Sequence, residues 1–127
     1  MNASTRAYAR ATQETASKER LMVLLFEAAL RHMRQSAQLL DENLVGEALP
    51  LLTKASDIVL ELAATLDARK APELAQTLGE LYAFVAQRLA HASVFRDAKA
   101  AHEAARAFAP IVEGFQQAVV ATQGAQP

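Results

Sequence analysis

A chain of 127 residues with 52% apolar side chains has enough material for one domain with a real core, although alanine makes up much of that fraction. A formal net charge of −1 and a pI near 6.3 exclude the basic balance of a nucleic-acid binder and give no general attraction to anionic membranes. The absence of cysteine removes disulfides and thiolate chemistry, which fits a reducing compartment.

Residues 1–17 are polar and carry Arg6, Arg10 and Glu14 without a hydrophobic run, so they do not read as a secretory signal. They are expected to form a mobile N-terminal arm. The first helix is predicted over 18–42, with Ser17 as N-cap and Glu19 in its first turn. Met22, Leu25 or Phe26, Ala29, Met33, Ser36 or Ala37, and Leu40 recur through it at helical spacing. Asp41, Glu42, Asn43 and Gly46 punctuate its end.

The second helix, 47–67, repeats Leu52, Ala55, Ile58 or Val59, Leu62 and Leu66, and Pro50 is placed in its first turn. Pro72 and Glu73 open the third helix, 72–95, which continues through Leu74, Leu78, Leu81, Val85, Leu89 and Ala92. Asp97 is the expected N-cap of the fourth, 98–121, whose apolar positions run from Ala101 through Phe108, Val112 and Phe115 to Val119. Pro110 falls inside that pattern and should kink or split the helix near Arg106. Residues 122–127 read as a disordered tail. Long helices joined by short links describe an all-α, antiparallel four-helix bundle over 18–121. The longest apolar runs, 21–26 and 81–86, fall far short of the ~20 residues that span a bilayer. The chain is therefore expected in the cytoplasm, with no membrane insertion.

Catalytic chemistry finds little support. A di-metal carboxylate bundle needs Glu-x-x-His pairs, but Ala29, Arg88 and Lys99 stand three residues before His32, His91 and His102. No phosphate-cradling glycine loop or Ser/His/Asp grouping is present. His32, flanked by Arg31 and Arg34, is the one faint candidate for phosphotransfer, and a partly exposed helix histidine is the plainer reading. No enzyme, cofactor or metal is expected.

The positive signal is apolar surface in excess of one packing seam. Residues 21–26 are apolar all round, so one stripe leaves Leu21, Leu24 and Ala28 facing elsewhere, and Tyr82 and Phe84 stand beside the seam of the third helix. Burial on two sides of a bundle explains any one of these equally well. Together they suggest a groove for a partner helix or extended segment.

Three blocks in order carry a family resemblance. The first is Tyr8, then Thr15, Ala16, Ser17 and Lys18, then Leu21, Met22, Val23, Leu24, Leu25, Phe26, Glu27, Ala28, Ala29 and Leu30. The second joins Lys54, Ala55, Ile58, Glu61, Leu62 and Leu66. The third joins Leu81, Tyr82, Arg88, Leu89, Ala92, Ser93 and Asp97, with Phe115 where the pattern has tryptophan. The chain resembles the flagellin export chaperones (FliS-type) over nearly its whole length. Lys18, Phe26, Glu27, Ala28 and Ser93 depart from that pattern, which has proline, tyrosine, aspartate, glycine and asparagine there. The early fourth helix is also richer in alanine than the pattern, which suggests a shallower groove.

The resemblance implies a cytosolic chaperone that wraps the disordered C-terminal segment of flagellin, prevents premature polymerisation and delivers the subunit to the flagellar type III export gate. The groove is expected to draw on Leu21, Leu24, Leu25, Ile58, Leu62, Tyr82, Val85 and Leu89. Arg88 would pair with an acidic group of the partner or with Glu61, and Tyr8 would cover the empty groove. The alternatives are a self-associating structural or regulatory bundle, homo-oligomeric when unliganded, and phosphotransfer through His32.

Overall fold

The computed structural model describes residues 2–124, which form four helices in up-down-up-down order: α1 (Ala3–Asp41), α2 (Val45–Ala64), α3 (Pro72–Phe95) and α4 (Ala98–Gly124). Helix α1 packs against α2 and α4, and α3 packs against the same two, so the helices stand at the corners of a square. Residues 125–127, the end of the expected tail, lie outside the described residues.

The first helix begins fifteen residues earlier than the periodicity predicted. Its cap is Asn2, not Ser17: the Asn2 Oδ1 accepts the Thr5 backbone N–H at 2.8 Å. The expected arm is therefore helical. Alanine, arginine, glutamine and glutamate fill it and no glycine or proline interrupts it, so propensity continues a helix that the bundle has already nucleated. Every described side chain from 2 to 15 is exposed, so packing contributes nothing there.

Asn43 ends α1 in the left-handed region (φ 61°), where asparagine costs less than most residues. The Leu44 N–H returns to the Leu39 carbonyl at 2.8 Å, which tightens the turn enough for α2 to start at once. Gly46 thus belongs to α2, and Pro50 stands in its second turn rather than its first. Pro72 opens α3 as expected, and Asp97 accepts the Lys99 N–H at 3.0 Å to cap α4. Pro110 does not split α4, which runs unbroken from Ala98 to Gly124. One missing N–H is a local loss, and burial of Phe108 and Val112 on either side of Pro110 keeps both halves of the helix on the core.

An aromatic chain ties three helices together. Phe108 of α4, fully buried, lies 5.8 Å from Phe26 of α1 and 6.5 Å from Tyr82 of α3, and Phe115 lies 4.8 Å from Phe26. Around them pack Met33, Leu52, Val59, Leu62, Val85 and Leu89. Ala100, Ala101, Ala104 and Ala105 are all buried, so the alanine-rich start of α4 is core, not the floor of a shallow groove. Small side chains there let α4 approach its neighbours closely.

Candidate functional site

The expected groove residues separate into two groups. Leu62, Tyr82, Val85 and Leu89 are buried in the core and face no partner. Tyr82 is only 3% exposed, and that burial raises its hydroxyl pKa above the usual 10.0. Leu21 and Leu24, by contrast, are 57% and 56% exposed, while Leu25 and Ile58 are half-buried. Leu21, Leu25 and Ile58 belong along the outer edge where α1 meets α2, and Leu24 stands next to it on the solvent face of α1.

The register of that edge follows from the helical repeat. Leu21, Leu25, Ala28, His32 and Leu39 recur along one flank of α1. Near its far end Leu39 and Gln35 line a shallow depression with Leu51 of α2. One step back, Lys54 of α2 is close enough to His32 to act on its charge. Continuing antiparallel, Ile58 and Glu61 of α2 come opposite Ala28 and Leu25. The edge thus offers exposed leucine on α1, a half-buried isoleucine floor on α2, and Glu61 at the rim.

His32 sits in this seam, half-buried, with Nδ1 enclosed and without a hydrogen-bond partner among the described residues. Burial first, then the positive charges of Arg31 and Lys54, lower its pKa below 6.5. A neutral imidazole wedged between helices is the state the site favours.

Two further expectations are corrected. Arg88 pairs with neither Glu61 nor a free surface: its guanidinium lies 3.3 Å from Glu103 of α4 and donates to Gln87 at 2.8 Å. Arg88 therefore joins α3 to α4. Tyr8 does not fold over any groove, because it rides on the N-terminal extension of α1, 75% exposed. Sequence reasoning passed over Leu60, Val94, Phe95 and Val120, all exposed, and counted Leu74 in the packing stripe of the third helix although it is 57% exposed. Val94, Phe95 and Val120 lie near the ends of their helices, where periodicity says little about burial.

No helix of the described residues is long and apolar enough to cross a membrane, and no metal-binding cluster of acidic, histidine or cysteine side chains occurs among them.

Comparisons with known proteins agree with this architecture. A solved structure described as a flagellar chaperone from bacteria superposes with a TM-score of 0.72, covering 91% of this chain and 97% of its own at 19% identity. That similarity shows the fold. The flagellar secretion chaperone FliS of Salmonella typhimurium (strain LT2) is 32% identical over 117 residues, spanning 88% of this chain and 87% of the relative. The model of the family "Flagellar protein FliS" matches residues 1–123. The chain belongs to the FliS family of flagellar secretion chaperones, which are not enzymes.

Proposed function

We propose that this chain is a cytosolic export chaperone whose client is flagellin, and that it binds the disordered C-terminal segment of that client through the α1–α2 edge. The observation that carries the reading is the pair Leu21 and Leu24, more than half exposed beside the half-buried Leu25 and Ile58. Large aliphatic side chains gain nothing by facing water, and a disordered client needs apolar contact to offset the entropy it loses on ordering. Covering such a segment keeps the subunit from polymerising and unfolded until the export gate accepts it.

Isothermal titration of the purified protein with the C-terminal segment of flagellin from the same cell tests this directly. Saturable one-to-one binding that Leu24→Glu abolishes supports it. Binding that is absent, or indifferent to Leu24→Glu, overturns it. Concentration-dependent self-association that the segment leaves untouched would favour a self-associating bundle.

A further inference from the structure

We infer that the seam between α1 and α4, on the opposite flank of α1, is a second docking surface, suited to an acidic amphipathic segment of a partner protein. Three depressions of about 390, 400 and 290 Å³ follow one another along it. Neighbouring depressions share lining residues: Glu27 and Gln116 join the first two, Arg34 and Glu113 the second two. From Val120 to His102 the track follows some eighteen residues of α4, about 27 Å at the helical rise.

The floor is apolar, made of Val23, Leu30, Val112, Val119, Ala109 and Pro110. The rims are cationic. Arg20, Arg31, Arg34 and Arg106 are all exposed, and none has an ion-pair or hydrogen-bond partner among the described residues. Arg69 and Arg88, elsewhere in the molecule, are paired with Asp67 and Glu103. Of the two acidic residues on the track, Glu27 already accepts from Gln116 at 3.0 Å, which leaves Glu113.

Four unpaired guanidiniums on one seam of a chain whose net charge is −1 amount to charge segregation. A guanidinium offers a planar fork that fits a carboxylate, and an apolar floor between such forks takes the leucine-like face of a helix. Nucleic acid suits the seam less. The side chains lining the three depressions include no phenylalanine, tyrosine or tryptophan, and the one aromatic ring, His102, is bonded to Asp41 at 2.7 Å, so bases would find no run of stacking platforms; Glu27 and Glu113 also stand where phosphates would run.

The test uses the intact protein and three synthetic helical peptides of about 18 residues, the length of the seam at 1.5 Å per residue. All carry leucine at every third or fourth position and differ only in having Glu, Gln or Lys at the polar ones. Fluorescence anisotropy should rank them Glu, then Gln, then Lys, with the Glu peptide about tenfold tighter than the Gln peptide at low salt and less so at high salt. Arg31→Glu with Arg34→Glu should remove that preference, and Arg31→Gln with Arg34→Gln should reduce it. Hydrogen exchange should slow at 27–34 and 105–116 when the Glu peptide binds. Leu21→Gln should leave this binding unchanged, which separates the seam from the α1–α2 edge. Affinities that ignore peptide charge, tighter binding of a single-stranded oligonucleotide, or protection on the α1–α2 edge would each overturn the inference.

Discussion

Leu24 and Leu62 show what a single residue can decide. Both are leucines inside apolar runs, yet one is 56% exposed and the other fully buried. A glutamate at 62 would bury an unpaired charge where no donor waits, which costs several kcal/mol, roughly 3–5 by analogy with a broken buried pair. Leu62→Glu is therefore expected to unfold the domain, and Leu24→Glu to leave its helical circular dichroism and urea midpoint close to wild type. Equal loss in both variants would mean that Leu24 is core after all. Tyr82→Glu belongs with Leu62→Glu, because Tyr82 lies against Phe108 and not in a groove. His32 adds a pH dependence whose sign is determined by its lowered pKa. Below 6.5 the unfolded chain takes up a proton that the folded chain resists, so stability rises with pH there and falls as pH drops below 6.5. Urea midpoints measured between pH 7.5 and 5 should decline less in His32→Gln than in wild type. A decline of the same size in both would assign the effect to other groups.

At the scale of elements, residues 3–15 of α1 are the outlier. They are helical without burying anything, so their hydrogen bonds are protected only by helix propensity and by continuity with the bundle. Amide exchange at 3–15 should be orders of magnitude faster than at 26–40, and deleting residues 1–15 should leave the thermal midpoint within a few degrees. A drop of ten degrees or more would show that the extension packs on the bundle. This segment also marks where the sequence was hard to read. Polarity without apolar periodicity resembles a disordered arm, and only Asn2 with Thr5 signals a helix start. Elements with punctuation were legible: Pro72 opens α3, and Asp97 caps α4. Of the two outcomes expected at Pro110 the split is absent, because sequence shows the lost hydrogen bond but not the tertiary burial on both sides that keeps the helix continuous. Faces were harder still. Leu21 and Leu24 stood out as surplus to one stripe, and the structure exposes them, but Tyr82, Val85 and Leu89 have the same helical spacing whether they face a partner or two neighbouring helices.

For the molecule as a whole, the exposed apolar residues do not collect on one side. Leu21 projects from α1 beside α2 with Leu24 next to it on the solvent face, Leu60 lies on another flank of α2, and Phe84 projects from α3 on the side of Arg88, which faces α4. A globular partner could cover one of these regions, whereas an extended segment could pass over several. If the client is a disordered segment, as proposed, its affinity should accumulate along its length. Each region would contribute part of the apolar burial, and each added region would make the heat capacity of binding more negative. Leu24→Glu and Phe84→Glu lie on different helices without a shared partner, so their losses should add to within about 0.5 kcal/mol. Progressive truncation of the flagellin segment should weaken binding in steps, and a truncated segment that no longer reaches one region should become indifferent to the variant there. Calorimetry with both single variants, the double variant and two segment lengths decides the matter. If Phe84→Glu binds every segment as wild type does, the client is confined to the α1–α2 edge and the wrapping arrangement is wrong.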